Sequence, residues 1–157
     1  MVSKNLVGPT LARMTLQIET NIDDMDPRLW PQVIDQILAA GALDAWVTPI
    51  IMKKGRPAFL FSVLCEQATA AEVRTAIFRE TTTIGLREHT VGRHVLDRTL
   101  DHVEVGGQKI ATKSSSLDGQ VMNRSVEWDD VVAASIALGL SAKEVLAAAT
   151  AAAVRDD

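Results

Sequence analysis

Two short segments place cations and hydroxyls around glycine in this 157-residue chain. Residues 52–56 read Met-Lys-Lys-Gly-Arg, and residues 80–87 read Glu-Thr-Thr-Thr-Ile-Gly-Leu-Arg. Fixed cations, hydroxyls and glycine amides are groups that bind a polyphosphate, because each can donate a hydrogen bond to a phosphate oxygen. The candidate phosphate contacts in these segments are Lys53, Lys54, Gly55, Arg56, Thr81, Thr82, Thr83 and Arg87.

A third segment, residues 19–26, is acidic and reads Glu-Thr-Asn-Ile-Asp-Asp-Met-Asp, with four carboxylates in eight positions. Carboxylate oxygens suit the hard divalent cation that usually accompanies a polyphosphate. The candidate metal ligands are therefore Glu19, Asp23 and Asp24. If a small sheet brings the three segments together, they form a nucleotide–metal site.

Each segment also has a purely structural interpretation. Aspartate commonly caps a helix or bonds turn amides, and Asp26-Pro27 has the pattern of a helix start. Charges at a hairpin tip discourage edge pairing, and a threonine run can simply fill a strand. The spacing matches neither a Walker phosphate loop nor a helix-loop-helix calcium site. Residue types alone therefore leave the choice between site and scaffold open.

Composition narrows the classes of function. With 47 % hydrophobic residues and few aromatics, the chain can bury one aliphatic domain with a small appendage. A net charge of −4 argues against nucleic-acid binding. The apolar stretches are far shorter than the roughly 20 residues of a membrane helix. The single cysteine, Cys65, ends an apolar strand pattern and predicts a buried structural thiol in a reducing cytoplasm.

Residues 1–13 lack periodicity and are interpreted as an N-terminal tail, whereas residues 14–91 alternate between strand and helix patterns. Gly41 should stop the first helix, and a Thr69/Glu72 capping box should open the second. The predicted elements are a strand at 16–22, a helix from Pro27 or later because Pro31 disturbs its first turn, strands at 45–52 and 58–65, a helix from Thr69 and a strand at 82–91. This β-α-β-β-α-β order is the ferredoxin-like arrangement.

Residues 92–157 have a different pattern and predict a small α+β C-terminal subdomain. The Gly-Gly pair at 106–107 lies between alternating segments and predicts a two-residue hairpin turn. Helices are predicted at 125–138 and 141–154, with Gly139 between them and a Ser141/Glu144 capping box opening the second. The expected fold class is α+β: a ferredoxin-like subdomain followed by a hairpin-plus-two-helix subdomain.

Six short motifs follow one another along the chain in a distinctive order. The motifs occupy residues 19–27, 41–45, 48–50, 52–57, 63–65 and 78–85. In order and spacing they resemble the LarC family of nickel-pincer cofactor biosynthesis proteins, which are nickel insertases. The resemblance runs from about Leu16 to Leu146 and corresponds to the C-terminal domain of that family.

This resemblance implies an activity and its co-substrates. Members of the family insert nickel into pyridinium-3,5-bisthiocarboxylic acid mononucleotide, and they consume CTP with manganese or magnesium. The expected activity is a CTP-dependent nickel chelatase or cyclometallase of the lyase class, with nickel as the inserted metal. In the family the C-terminal domain binds metal-CTP and assembles into trimers or hexamers.

The resemblance also implies roles and partners. Glu19, Asp23 and Asp24 would hold the divalent ion. The residues that would neutralise phosphate charge are Lys53, Lys54, Arg56 and Arg87, with Arg93 and Lys113 as further contacts. The expected partners are the mononucleotide substrate and a separately encoded N-terminal domain, because this sequence lacks the family's N-terminal domain. The alternative is a non-catalytic nucleotide-binding regulatory or assembly module with a ferredoxin-like fold.

Overall fold

A computed structural model describes residues 13–155 of the chain. These residues divide into two compact units, residues 13–94 (the first unit) and residues 95–155 (the second unit). Each unit combines one antiparallel sheet with two α-helices. The α+β class expected from the sequence is therefore confirmed.

The first unit has the β-α-β-β-α-β order expected from the sequence. Its elements are β1 (Arg13–Ile22), α1 (Trp30–Ala39), β2 (Ala42–Met52), β3 (Arg56–Glu66), α2 (Ala70–Glu80) and β4 (Arg87–Arg93). The four strands form one sheet in the order β2-β3-β1-β4, and each neighbouring pair is antiparallel. The ferredoxin-like arrangement is confirmed, and it puts β1 and β3 at the centre of the sheet.

The first helix begins later than its earliest proline. Asp26 caps a short 3-10 turn at Pro27–Leu29 by accepting a hydrogen bond from the amide of Arg28 at 3.0 Å. The α-helix starts only at Trp30, and Pro31 then lies in its first turn, where a missing N–H costs nothing. The delayed start expected from Pro31 is confirmed.

The capping box predicted at Thr69 and Glu72 is wrong. The hydroxyl of Thr69 bonds the carbonyl oxygens of Gly41 at 3.1 Å and Glu66 at 3.3 Å, so it does not cap α2. The hydroxyl therefore fastens the chain before α2 to the end of α1. The local pattern predicts that this hydroxyl accepts a hydrogen bond from a helix amide, but in the fold it donates to the carbonyl of Gly41 instead.

The strand predicted at 82–91 is shorter than expected. It begins at Arg87, and residues 81–86 form a loop that follows α2. β-Branched residues favour strands in general, but here the hydroxyls of Thr81 and Thr83 bond carbonyl oxygens of the last turn of α2 and of the loop. This loop leads directly into Arg87, the first residue of β4.

Both helices of the first unit pack on one face of the sheet. Alternation along β1 sends Ile18 into this core and Glu19 to the other face. Cys65 is fully buried, and burial raises the pKa of its thiol, as expected for a structural cysteine. The largest fully buried core side chains are Phe61, Ile18, Ile37, Ile77, Val63 and Val73.

The second unit contains one strand more than the sequence predicted. Its elements are β5 (Asp97–Val105), β6 (Gln108–Leu117), β7 (Gln120–Val126), α3 (Trp128–Leu138) and α4 (Ala142–Arg155), with the strands in the order β5-β6-β7. The turn at 106–107 forms as predicted. The helix predicted from Ser125 starts at Trp128, because Asp118 and Gly119 adopt positive φ and turn the chain back as a third strand. The hairpin is therefore a three-stranded sheet.

The Ser141/Glu144 capping box before α4 is confirmed. The Ser141 amide donates to Glu144 Oε2 at 2.9 Å, and the Glu144 amide donates to Ser141 Oγ at 3.3 Å. Gly139 ends α3 in the left-handed conformation, as its position between two helices predicted. Among residues 13–155 no single helix is long and apolar enough to cross a membrane; α3 and α4 would qualify only together, and they bend by 119° at the break.

Replacing Phe61 with alanine tests the core of the first unit. Phe61 is fully buried and packs with Trp30, their ring centroids lying 5.1 Å apart. The free energy of unfolding should fall by about 3–5 kcal/mol because a large cavity replaces the ring. Ile51→Ala is the control, since Ile51 is 71 % exposed. Urea unfolding followed by tryptophan fluorescence measures both, and equal losses would contradict this packing.

Candidate functional site

Sheet topology brings the acidic and the cationic segments to the same end of the first unit. β1 runs antiparallel to both β3 and β4, so the end of β1 lies beside the beginnings of those two strands. Arg56 is the first residue of β3, and Arg87 is the first residue of β4. The segment at 19–24, which includes the last residues of β1, is therefore next to both arginines.

Direct contacts join the segment after β1 to both cationic regions. Asp23 accepts a hydrogen bond from Nη1 of Arg56 at 3.0 Å, an ion pair in which Arg56 is 58 % exposed. Asp24 accepts a hydrogen bond from the hydroxyl of Thr82. These neighbouring carboxylates thus contact the first residue of β3 and the loop before β4, respectively.

The β2–β3 turn holds one of its two lysines in an unusual backbone conformation. Lys53–Gly55 forms a short 3-10 turn, within which Lys54 has φ 64° and ψ 18°. Left-handed backbone is uncommon for a residue other than glycine, and such outliers concentrate at functional sites. Gly55 follows with φ 70°, which glycine adopts without strain. Lys54 is thus held at the tip of this turn against its own conformational preference.

Arg87 is held by two side chains of β1. Its Nε donates to Glu19 Oε2 at 3.1 Å, and its Nη1 donates to Asn21 Oδ1 at 2.8 Å. Glu19 and Arg87 are directly paired in the sheet register, and they lie on the face opposite α1 and α2. The side chain of Arg87 is 52 % exposed, so it can still meet a ligand.

Glu19 is an ionised carboxylate in a partly buried place. Burial opposes its charge, but the Gln17 amide and the charge and hydrogen bond of Arg87 outweigh this effect, so the pKa of Glu19 falls below its usual value. Gln17 donates to Oε1 at 2.8 Å, and the Ser62 hydroxyl approaches the same oxygen at 3.5 Å. The carboxylate is therefore surrounded by donors of this chain.

The three threonines before Ile84 bond within the protein. The hydroxyl of Thr81 donates to the Ile77 carbonyl at 2.8 Å at the end of α2, and Thr82 reaches Asp24. The hydroxyl of Thr83 bonds the carbonyl of its own loop residue Gly85 at 3.0 Å. Thr82 is thus the member of the run that connects this loop to the acidic segment.

Thr20 was not selected from the sequence, yet it anchors this loop. Its buried hydroxyl lies 2.5 Å from the hydroxyl of Thr83 and donates to the carbonyl of Gly85 at 2.9 Å. Each hydroxyl has one proton, so only two of the three close contacts among Thr20, Thr83 and the Gly85 carbonyl can be hydrogen bonds at the same time. The sequence did contain a signal for this role, because Thr20 is a polar residue at a core-facing position of β1, between Ile18 and Ile22.

Two of the predicted phosphate contacts belong to other segments of the chain. Arg93 ends β4, about 20 Å along the strand from Arg87 at the usual strand rise. Lys113 belongs to β6 of the second unit, where its ammonium pairs with Glu127. Among residues 13–155, no three histidine, cysteine or acidic side chains are close enough to hold a metal ion by themselves.

Comparisons with known proteins show the family of this chain. The family model described as "Nickel insertion protein" matches residues 7–146. The chain belongs to the nickel insertion protein family. It is 52 % identical over 136 residues to the pyridinium-3,5-bisthiocarboxylic acid mononucleotide nickel insertion protein of a Nocardioides species, covering 87 % of this chain and 35 % of that protein. A Thermotoga protein of the same description is 37 % identical over 142 residues, 89 % of this chain and 35 % of the relative.

A solved structure shows the same fold in this family. It is LarC2, described as the C-terminal domain of a cyclometallase involved in the synthesis of the NPN cofactor of lactate racemase, in its apo form. The TM-score is 0.84 at 30 % identity, over 92 % of this chain and 99 % of that one. A Methanopyrus kandleri protein shares the fold at 21 % identity, with a TM-score of 0.65 over 94 % of this chain and 92 % of its own. This nickel insertion family member spans about a third of the length of the curated relatives it matches.

The lowered pKa of Glu19 predicts a pH dependence. A carboxylate with a depressed folded pKa stabilises the fold above its unfolded pKa, and this contribution is lost as the pH falls through the folded value. Arg87→Ala should raise the pKa of Glu19, because it removes a cation and a hydrogen bond. Carbon NMR titration of the Glu19 carboxyl measures this change.

The control for this titration is Arg74→Ala. Arg74 pairs with Glu88 and not with Glu19. The Arg74→Ala substitution should therefore leave the pKa of Glu19 unchanged. An unchanged pKa in Arg87→Ala would show that Arg87 does not stabilise the Glu19 carboxylate.

Proposed function

We propose that this chain binds CTP with manganese or magnesium as the nucleotide-binding part of a nickel insertase. Its substrate would be pyridinium-3,5-bisthiocarboxylic acid mononucleotide, the compound in the names of its relatives. The observation that carries the proposal is the meeting of Arg56 and Arg87 with the acidic segment at one end of the sheet. Family membership supports the nickel chemistry, and the choice of CTP follows from the LarC resemblance.

The cations of this sheet end are suited to a triphosphate. Arg56 offers a fork of donors, Lys53 and Lys54 offer ammonium groups in the adjoining turn, and Arg87 presents a guanidinium fixed on β1. Transfer of the cytidylyl group to an acid group of the substrate would release pyrophosphate. These cations would then stabilise the charge that develops on the leaving group.

The divalent ion would be held by a small set of protein oxygens. Asp23 and Asp24 are consecutive hard oxygen donors, a set that fits manganese or magnesium. Magnesium at nucleotide sites usually takes one or two carboxylates together with phosphate oxygens, so a cluster of three carboxylates is not required. Glu19, the third predicted ligand, lies on the same face as Arg87. When bound, the ion would neutralise phosphate charge.

Under this proposal, residues outside the matched region bind the nickel and the mononucleotide substrate. The matched relatives are about three times as long as the matched region, which is consistent with a separate N-terminal domain. We place the binding of nickel and of the mononucleotide substrate mainly in that domain. Assembly of this chain into trimers or hexamers, in the cytoplasm, belongs to the same proposal.

Selective binding of CTP tests the proposal directly. Isothermal titration calorimetry should show saturable binding of CTP in the presence of manganese, weaker binding without it, and weaker binding of ATP and GTP. The metal dependence is expected because Asp23 and Asp24 would otherwise repel a triphosphate. Equal affinities for all three nucleotides would remove the cytidine specificity, and no binding would remove the nucleotide site.

The alternative is a regulatory or assembly module. A regulatory module would bind CTP without consuming it, and a plain assembly module would bind no nucleotide. Incubation of the chain with an N-terminal-domain protein, the substrate, CTP, manganese and nickel distinguishes them from the insertase. Release of pyrophosphate supports the proposed function, whereas intact CTP after saturable binding supports the regulatory module.

Arg56→Ala tests the phosphate role of the β2–β3 turn. Loss of a charged hydrogen bond costs about 1.5–3 kcal/mol, so the affinity for metal-CTP should fall roughly 10- to 100-fold. Arg79→Ala is a matched control: Arg79 is 64 % exposed and pairs with Glu80, which is 24 % exposed, the same value as for Asp23 in the Arg56 pair. Calorimetry measures the affinity and thermal melting checks the fold. If Arg56→Ala binds metal-CTP as tightly as the parent, the turn is a solvated hairpin tip without a role in binding.

A further inference from the structure

We propose that Glu19 and Asn21 are positioning residues that hold the guanidinium of Arg87 ready for phosphate, and that Glu19 is not a metal ligand. This inference rests on the proposed function, because Arg87 acts there as a phosphate contact. It also divides the acidic segment into two parts. Glu19 belongs to the anion-binding half, and Asp23 and Asp24 belong to the cation-binding half.

The contacts of Arg87 use two of the three nitrogens of its guanidinium. Nε meets Glu19 at 3.1 Å and Nη1 meets Asn21 at 2.8 Å. Residues two apart on a strand share one face, so Glu19 and Asn21 form neighbouring acceptors along β1. Among the described residues, the contacts of Arg87 do not involve Nη2. That nitrogen can therefore donate to a ligand while Glu19 and Asn21 still hold Nε and Nη1.

The carboxylate of Glu19 is already occupied by donors. Oε1 accepts from Gln17 and is approached by Ser62, whereas Oε2 accepts from Arg87. Its side chain is 16 % exposed, compared with 24 % for Asp23. A metal ion at Glu19 would have to displace a hydrogen bond from a partly buried carboxylate, which is costly. Within residues 13–155, Asp23 and Asp24 each accept one hydrogen bond from a side chain, so a metal ion can recruit them more easily.

A held guanidinium binds phosphate better than a mobile one. Arginine side chains lose rotamer freedom when they bind, and a clamp in the folded protein takes this loss before the ligand arrives. The negative charge of Glu19 also lowers the net positive charge of the pair. The clamp is therefore favourable only if orientation matters more than net charge at this position, and a neutral acceptor at residue 19 tests that balance.

A double-mutant cycle between residues 19 and 87 tests the inference. The variants are Glu19→Ala, Glu19→Gln, Asn21→Ala, Arg87→Ala and the Glu19→Ala/Arg87→Ala double variant. Each is titrated with CTP at fixed manganese, and with manganese at fixed CTP. Arg74→Ala is the control, because it breaks the Arg74–Glu88 ion pair on the opposite face. Thermal melting shows which variants remain folded, and Glu19→Gln keeps the test valid if Glu19→Ala unfolds.

The expected results distinguish positioning from metal binding. Glu19→Ala should weaken CTP binding about 10-fold or more, and the double variant should bind no more weakly than Arg87→Ala alone. Glu19→Gln should restore most of the affinity, since its amide oxygen can still accept from Nε. The manganese concentration at half-saturation should stay at the parent value in Glu19→Gln.

Three results would overturn the inference. Independent losses in the double variant would show that Glu19 does not act through Arg87. A clear increase in the manganese requirement of Glu19→Gln would make Glu19 a metal ligand. A parent chain that binds no CTP would remove the proposed function itself, a result distinct from normal parent binding with uncoupled variants.

Discussion

The antiparallel pairing of β1 with β3 on one side and β4 on the other is the constraint on which the site depends. Since β1 runs opposite to both neighbours, its last residues meet their first residues, Arg56 and Arg87. Segments far apart in sequence therefore come together without a dedicated binding loop. A shift of β1 by one residue would send Glu19 into the core and Ile18 to the outer face. The apolar pattern that fixes the register of β1 thus fixes the site as well.

Opposite charges hold one another in place at this end of the sheet. Exposed ion pairs such as Arg56–Asp23 contribute only about 0–1 kcal/mol, so exchanging a partner costs little. Under the proposed function, a phosphate that takes Arg56 also releases Asp23 for the divalent ion. Binding of the nucleotide and binding of the metal would then favour each other. A phosphate that binds Arg56 frees Asp23 for the metal, and a metal that binds Asp23 frees Arg56 for the phosphate.

The hydrogen bonds of Thr20 with Thr83 and Gly85 show how a scaffold residue can position a site from within the core. Thr20 faces the core side of β1 and holds the loop at 81–86 through Thr83 and Gly85. That loop presents Thr82 to Asp24 and leads into Arg87. A buried hydroxyl must find a partner, so Thr20 commits the loop to one conformation. Fixing the loop also fixes the strand start that carries the guanidinium.

The sequence by itself determined the elements of the first unit, their ferredoxin-like order and the Ser141/Glu144 cap, because periodicity and capping patterns are local properties. The pairing of β1 with β3 and β4, which only the tertiary structure shows, brings the acidic and cationic segments together. The tertiary structure decided how each polar group is used. The same Ser/Thr-x-x-Glu pattern caps α4 at Ser141, but at Thr69 a carbonyl of another segment takes the hydroxyl. The polar strand β7 likewise forms because β6 offers a pairing edge. A hydrogen bond goes to the best partner in space, and a sequence pattern records only the partners nearby in the chain.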